Sequence, residues 1–265
     1  MQFNELNQNY DNFIALNQSF AWKLLTNVKS IKYPKKEIDE EENEKYDAFF
    51  IGKAFHHYVL ECKSDEEFLS EYAVTDMRFG TKKFEEFSET AKLLGKQFIL
   101  KEKDWTAFKI MKYELLLNKH FITIYNNFLK TEAELYREMP DCIIKGRLDV
   151  ITTTSHLCCD IKTIKSDVLG NEFKLKCHIK EYGYHLQALF YNYLLGIFDI
   201  KDMKYLLFFV EKTAPYNVQV VQLSTELLIE AEMLYKEAVK RWNQYLKSEM
   251  NAEQVEGYHL PSLII

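Results

Sequence analysis

Two neighbouring segments decide the fold of this chain, IIKGRLDVI at residues 143–151 and LCCDIKT at residues 157–163. Apolar and polar side chains alternate in both, a pattern typical of half-buried β-strands. The short polar break between the segments favours a hairpin. One face of this hairpin then carries the apolar side chains, namely Ile144, Leu148 and Val150 in the first strand and Leu157, Cys159 and Ile161 in the second. The other face carries Asp149, Asp160 and Lys162.

These two carboxylates and one lysine predict a magnesium site that cuts phosphodiester bonds. Magnesium takes oxygen ligands and keeps several waters, so one or two carboxylates hold it. The ion acidifies a bound water and neutralises charge on the phosphate in the transition state. Lys162 would orient that water, or deprotonate it if the surroundings lower the pKa of the ammonium group. The competing interpretation is an ordinary solvated strand face, because Asp-x-Lys by itself is common.

A helix-like segment after the hairpin adds a second motif. Residues 180–195 are predicted to form a helix that ends before Gly196. Gln187 and Tyr191 are four residues apart and therefore share one face of it. Gln-x-x-x-Tyr, one helix after an Asp…Asp-x-Lys hairpin, resembles RecB-type nucleases. The whole arrangement resembles the PD-(D/E)xK nuclease superfamily, in its RecE-like (exonuclease VIII type) phage exonuclease branch.

The resemblance covers nearly the whole chain, from about residue 19 to about residue 250. Residues 46–61 resemble the family's early Gly-x-Ala-x-His helix, and the stretch from Met77 to Lys96 resembles the basic segment that follows it. Residues 131–135 occupy the place of a glutamate-bearing strand before the aspartate hairpin. The motifs occur in the family's order, which is more specific than any single one of them.

Metal ligands follow from this resemblance. It implies that Asp149, Asp160, the backbone carbonyl of Ile161 and His56 hold the ion. A lone histidine on an apolar helix is more often a packed residue than a ligand, but the placement of His56 after the Gly-x-Ala motif favours a ligand. Asp160 stands where the superfamily pattern allows Asp or Glu.

The upstream carboxylate is either Glu132 or Glu134, which would point to the same face of a strand. Glu134 is our choice as a catalytic residue, because Leu135 and Tyr136 after it resemble the family's strand more closely.

The resemblance also implies that Gln187 and Tyr191 contact the DNA strand or support the site. Arg147, Lys82 and Lys83 are candidates for the local basic surface that DNA binding needs, whereas each lysine taken alone fits an ordinary solvated surface charge better.

The expected fold is α/β (α+β), with a PD-(D/E)xK core of a central mixed sheet flanked by helices. A single nuclease domain would span residues 1–265, with a helical N-terminal layer at about 1–129 and a catalytic core at about 130–250. We predict helices at residues 1–30 with Ser19 as a cap, 46–61, 65–71, 82–95 and 103–129. Strands are predicted at residues 131–138, 142–151, 157–163, 203–211 and 217–223, before a long amphipathic helix capped by Ser224.

The implied activity is that of a magnesium-dependent exodeoxyribonuclease, with manganese able to substitute. It would degrade linear double-stranded DNA from 5′ ends and leave a 3′ single strand for recombination by strand annealing. The implied partners are DNA ends, a RecT-type annealing protein and further copies of the chain in a ring. Two alternatives stay open: a structure-specific or single-strand RecB-like nuclease, and a DNA-binding subunit that does not cut.

Composition indicates a cytoplasmic protein with no membrane partner. No stretch approaches the roughly 20 apolar residues that span a bilayer. Five scattered cysteines without a Cys-x-x-Cys motif indicate reduced thiols and argue against an iron–sulfur cluster. The net charge of −6 requires any DNA contact to use a local basic surface. The acidic residues 37–44 predict an exposed loop, and the apolar residues 260–265 predict a docking segment.

Overall fold

A six-stranded mixed sheet lies at the centre of the protein, whose computed structural model describes residues 4–32, 48–152, 158–165 and 167–257. In spatial order its strands are β1 (Asn4–Glu5), β4 (Phe128–Glu138), β5 (Ile143–Thr152), β6 (Cys158–Ile164), β7 (Tyr205–Glu211) and β8 (Val218–Gln222). Neighbouring strands are antiparallel except β6 and β7, which are parallel. A separate parallel pair consists of β2 (Tyr72–Thr75) and β3 (Phe98–Lys101).

Helices cover the sheet and supply its one parallel crossover. They are α1 (Gln18–Thr26), α2 (Lys29–Lys32), α3 (Ala48–His56) with a π-helical turn after it (His57–Glu61), α4 (Asp65–Glu71), α5 (Lys82–Leu93), α6 (Glu102–Leu117), α7 (Lys119–Tyr125), α8 (Glu172–Glu181), α9 (Tyr184–Leu194) and α10 (Thr225–Lys247). Parallel neighbours require a long crossover, and α8 and α9 form it between β6 and β7.

Both faces of the sheet are buried. One core cluster joins the sheet to α1, α8, α9 and α10, and the other joins it to α3, α4, α6 and α7. Cys158 and Ile164 belong to the first cluster, whereas Cys159 and Ile161 belong to the second. The predicted alternation of β6 is therefore confirmed, but the face expected to be polar and half-exposed is also covered. In β5, Leu148 and Val150 belong to different clusters, contrary to the shared face predicted for them.

The expected mixed α/β architecture is confirmed, and most predicted elements are present near the predicted bounds. The largest difference is at the N-terminus, where α1 begins at Gln18 and residues 4–17 form no helix. The cap of α1 is Asn17, whose side chain accepts a hydrogen bond from the backbone of Phe20 at 2.8 Å, and not Ser19. Ser224 caps α10 as predicted. The side chain of a cap residue accepts a hydrogen bond from a backbone N–H group of the first helical turn. Asn17 and Ser19 are both suitable residue types close to the start of α1, and the sequence alone does not decide between them.

Two predicted helices are each divided into two. The one predicted at 103–129 is broken at Asn118, which caps α7 through its side chain. The one predicted at 180–195 is broken at Gly183, between α8 and α9. The β2–β3 pair and β1 were not predicted, because two- to four-residue strands carry too few alternating positions to give a signal.

Several predictions lie outside the described residues, namely the hairpin turn with Leu157, the acidic run at 37–44, the start of the early helix at Tyr46 and Asp47, and the apolar segment at 260–265. All five cysteines are free thiols, as predicted. Within the described ranges, no helix combines the length and the apolar character needed to cross a membrane.

Candidate metal-dependent nuclease site

The two aspartates of the hairpin lie where β5 and β6 separate. The antiparallel ladder ends at the pair Val150–Cys159, and Asp149 and Asp160 are the next residues on the two strands. Asp149 occupies this fork, since its Oδ2 accepts a hydrogen bond from the backbone N–H of Ile161 at 3.3 Å. Asp149 is 8% exposed and Asp160 is fully buried. The tertiary structure thus brings both carboxylates to one point, as the sequence predicts.

Strand β4 brings Glu132 to the same point. Thr131 pairs with Val150, which places Glu132 opposite Asp149 in the β4–β5 register. The backbone φ of Glu132 is +47°, in the left-handed region that residues with side chains rarely adopt. Strained positions of this kind cluster at functional sites. One ligand atom from each of Glu132, Asp149 and His56 lies within 4.8 Å of the other two.

His56 reaches the fork from the last residue of α3. Its Nδ1 lies 3.3 Å from Oδ2 of Asp149, and its Nε2 contacts the carbonyl of Ile161. Because a carbonyl only accepts, Nε2 carries the proton and Nδ1 presents its lone pair toward Asp149. Burial lowers the pKa of His56, so the ring is neutral. One turn earlier, a Cβ on Gly52 would lie 3.7 Å from Oγ1 of Thr163, so α3 crosses β6 closely here.

Asp160 is held by two side chains on one of its oxygens. Oδ2 accepts a hydrogen bond from the Tyr205 hydroxyl at 2.8 Å and lies 2.5 Å from Nζ of Lys162. Oδ1 is buried and has no hydrogen-bond partner among the described residues. Asp160 is therefore adjacent to the three-residue cluster but not a member of it.

The site contains more carboxyl groups than neighbouring ammonium groups, and the carboxyl pKa values are shifted in opposite directions. Burial and the charge of Asp160 raise the pKa of Asp149 well above its ordinary value. Burial and Glu61 raise the pKa of Glu132 to about 7. Burial would also raise the pKa of Asp160, but Lys162 and Asp149 outweigh it and hold this pKa at about 2. Three carboxyl groups thus share one nearby ammonium group.

The pKa of Lys162 does not meet the condition under which the sequence analysis expected this lysine to act as a base. Burial lowers its pKa, but Asp160 and Asp149 outweigh burial and raise it above the ordinary value. The condition for Lys162 to act as a base, a lowered pKa, is therefore not met with these neighbours.

This donor set fits a divalent cation. A neutral imidazole and two carboxyl groups converge within 4.8 Å, and a buried oxygen of Asp160 beside them has no described partner. Hard oxygen ligands suit magnesium or manganese. A cation would also neutralise the like charges that raise the pKa values of Glu132 and Asp149.

The Gln187–Tyr191 motif supports the site through the backbone of β5. Nε2 of Gln187 donates to the Tyr191 hydroxyl at 2.8 Å, and this hydroxyl donates to the carbonyl of Arg147 at 2.7 Å. Arg147 lies two residues before Asp149, so the motif fixes the strand that carries the aspartate. A side chain on Gly146 would meet Leu194 at 2.6 Å, which shows how closely α9 lies on β5 here.

Comparison with known families agrees with this geometry. Residues 23–259 match the family described as "PDDEXK-like domain of unknown function (DUF3799)". The chain belongs to this family. No curated protein matches it significantly.

Two solved structures resemble the PDDEXK-like chain. The crystal structure of a proposed exonuclease from Eubacterium rectale has a TM-score of 0.59 at 12% identity, covering 98% of this chain and 96% of that one. A phage-related exonuclease from Haemophilus somnus 129PT has a TM-score of 0.36 at 18% identity, covering 75% of this chain and 95% of that one. At this identity the first likeness establishes a shared fold, and the second is too weak to add to it.

The PDDEXK-like site corrects the choice between the two upstream glutamates. Glu134 lies opposite Arg147, not Asp149, and its Oε1 forms an ion pair with Nη2 of Arg147 at 2.6 Å. Both side chains are partly exposed. Glu132 is the glutamate beside the aspartates. The two glutamates do share a face, but the register of β4 against β5 decides which one reaches the fork.

The two predicted basic residues of α5 lie apart from the fork. Lys82 is 88% exposed and pairs with Glu86 at 4.0 Å, and Lys83 is also exposed. No described contact joins either lysine to Asp149 or Asp160. Their predicted role in DNA binding stays a prediction.

Sequence reasoning missed Tyr205 and Tyr184. Tyr205 opens β7, and the parallel register of β6 with β7 brings it near Asp160. The ring centroid of Tyr184 lies 5.0 Å from Nζ of Lys162. The spacing of Tyr184 three residues before Gln187, on the same helical face, is the one sequence signal that could have indicated it.

Proposed function

We propose that this protein is a metal-dependent nuclease that hydrolyses phosphodiester bonds of DNA. The observation that carries the proposal is the convergence of Asp149, Asp160, Glu132, His56 and Lys162 at the fork of β5 and β6. A buried group of carboxylates costs stability unless a ligand neutralises it. Membership in a PDDEXK-like family supports the same conclusion.

Asp149, Glu132 and the lone pair of His56 Nδ1 would hold the cation, with Oδ1 of Asp160 available beside them. When bound, the cation would acidify a water molecule and neutralise charge on the scissile phosphate. Asp160 and Asp149 raise the pKa of Lys162, so its ammonium group would orient the attacking water and attract the phosphate.

Tyr205 and the Gln187–Tyr191 motif would hold these groups in place. Tyr205 fixes Oδ2 of Asp160 by one hydrogen bond, and Tyr191 fixes the carbonyl of Arg147 by another. Preorganised donors and ligands need no rearrangement at the moment of reaction.

The finer parts of the proposal rest on the resemblance of the motifs to RecE-like exonucleases. They are magnesium as the physiological ion with manganese as a substitute, linear double-stranded DNA as the substrate, and 5′-to-3′ polarity that leaves a 3′ single strand. A cytoplasmic location, a ring-shaped oligomer, a RecT-type annealing partner and a role in recombination are further proposals on the same basis.

Product analysis with end-labelled DNA tests this function. The purified protein should shorten linear duplex DNA in magnesium, release a 5′ label early, retain a 3′ label longer and leave closed circular DNA intact. Asp160→Asn and chelation of the metal should each abolish the reaction. Retention of the 5′ label on shortened strands would contradict the polarity. Absence of cleavage in both magnesium and manganese would contradict the nuclease function itself.

A further inference from the structure

Tyr184, beside Lys162, and Tyr182, which packs against Tyr184, form an aromatic surface. The rings of Tyr182 and Tyr184 are nearly parallel, with an interplanar angle of 22° and centroids 5.8 Å apart. Nζ of Lys162 lies 5.0 Å from the centroid of Tyr184. Tyr182 is 51% exposed. The surface therefore extends from the lysine of the site outward to solvent.

The break between α8 and α9 makes this arrangement possible. Residues two apart in a helix do not face each other, so an uninterrupted helix would separate the rings of Tyr182 and Tyr184. Gly183 between them has φ +67°, in the left-handed region that favours glycine. A Cβ at Gly183 would lie 2.8 Å from the ring of Trp22. Backbone conformation and close packing thus both require glycine where the chain turns.

The buried Phe209 and the partly exposed His178 pack against the two rings. Phe209 is fully buried, and its ring centroid lies 6.0 Å from that of Tyr184. His178 lies 4.5 Å from Tyr182 and 6.1 Å from Phe209, also between ring centroids. Rings that are already fixed lose little conformational entropy when a ligand stacks on them.

We propose that Tyr182 and Tyr184 form a stacking platform for an unpaired nucleobase beside the phosphodiester bond that is cut. Aromatic side chains stack on bases of single strands regardless of sequence. A base inside a duplex is covered by its neighbours on both faces, so it must leave the stack to reach such a surface. A nucleobase is joined to its phosphate by one sugar, and a phosphate at Lys162 would bring its base to these rings.

This proposal rests on the nuclease function and specifies its substrate. The strand being cut is unpaired at the site, whether it comes from a frayed duplex end or from a single strand. The nearest alternative explanation of the same rings is simple packing, but the half-exposed ring of Tyr182 is not needed to close the core.

Binding of single-stranded oligonucleotides carrying 2-aminopurine tests the platform. The experiment uses the whole protein with calcium in place of magnesium, so that binding is measured without cleavage. We expect quenching of 2-aminopurine next to the bond that is cut and none six nucleotides away. Tyr182→Leu should weaken binding by about 5- to 150-fold, the range of one base–aromatic stack. Tyr182→Phe should bind like the wild type, because it keeps the ring.

Tyr113→Leu is the matched control, since Tyr113 is a tyrosine on α6 that is 61% exposed. It should leave binding unchanged. An abasic nucleotide at the quenched position should weaken binding to the wild type and cause no further loss in Tyr182→Leu. The platform would be overturned if the abasic nucleotide weakened binding equally in the wild type and in Tyr182→Leu. It would also be overturned if Tyr182→Leu bound the intact oligonucleotide as tightly as the wild type. Position-specific quenching without any cleavage in magnesium would support the platform and overturn the nuclease function alone. The quenching measurement needs no variant, so it decides even if Tyr182→Leu fails to fold.

Discussion

Replacing Glu132 with glutamine tests which glutamate belongs to the proposed metal site, through stability as well as activity. In the metal-free protein, burial and the neighbouring Glu61 raise the pKa of Glu132 from 4.5 to about 7. The folded state therefore holds this proton more tightly than the unfolded state. Stability falls as pH rises from about 4.5 to about 7, and the loss is complete above that window. Glutamine keeps the shape of the side chain and cannot ionise.

The magnitude follows from the size of the shift. A rise from 4.5 to about 7 corresponds to about 3 kcal/mol at pH 8, at 1.36 kcal/mol per unit, as an upper estimate for a partly buried group. At pH 5 the same calculation gives a destabilisation by Glu132 of only about 1 kcal/mol. We expect Glu132→Gln to be more stable than the wild type at pH 8, with most of this gain absent at pH 5.

Chemical unfolding in the presence of a metal chelator, at pH 5 and at pH 8, measures the difference in the free energy of unfolding between Glu132→Gln and the wild type. Glu134→Gln is the matched control. It breaks a partly exposed ion pair with Arg147, which is worth about 0–1 kcal/mol, with little dependence on pH in this range. Added magnesium should then stabilise the wild type and Glu134→Gln but have a smaller effect on Glu132→Gln, which should also lose DNA cleavage. A gain of equal size at both pH values, or a larger effect at Glu134, would refute this reasoning.

Three further predictions concern the lysine, the helix break and the tyrosine of α9. Lys162→Ala should slow DNA cleavage by at least about 100-fold, whereas Lys236→Ala, a change at a 71% exposed lysine of α10, should leave the measured rate unchanged. Gly183→Ala should destabilise the protein by about 2–3 kcal/mol in urea unfolding, since it combines a φ of +67° with a tryptophan ring at 2.8 Å. Gly170→Ala is the control, because Gly170 has φ +76° but no atom within 4 Å of an added Cβ. It should lose only the stability that the left-handed backbone conformation costs, about 1 kcal/mol. Tyr191→Phe removes one hydroxyl bonded at 2.7 and 2.8 Å and should lower stability by about 1–3 kcal/mol; an unchanged melting temperature would contradict its supporting role.

Much of the sheet and the positions of its charged residues could be predicted because the signals are local. Alternation in β4, β5 and β6 depends only on neighbours along the chain, and so does the helical spacing of Gln187 and Tyr191. The order of Asp149, Asp160 and Lys162 in that pattern indicated a candidate site before any contact was known. Composition also decided correctly that the cysteines are free thiols.

Pairing between distant segments decided the rest. The register of β4 against β5 places Glu132, and not Glu134, opposite Asp149, although both glutamates lie on one face of the strand. The proximity of Asp160 and Asp149, which outweighs burial, raises the pKa of Lys162. Both depend on which residues meet across long stretches of chain, and neither leaves a periodic signal.

The aromatic surface beside Lys162 shows the same division. The sequence alone determined a helical segment around Gln187, since apolar spacing persists through it. Only the tertiary structure showed that Gly183 interrupts this segment, because the close approach of the Trp22 ring to Gly183 joins residues far apart in the sequence. Local periodicity determines which elements form. Register, burial and close packing determine which of their side chains meet and which charges they carry.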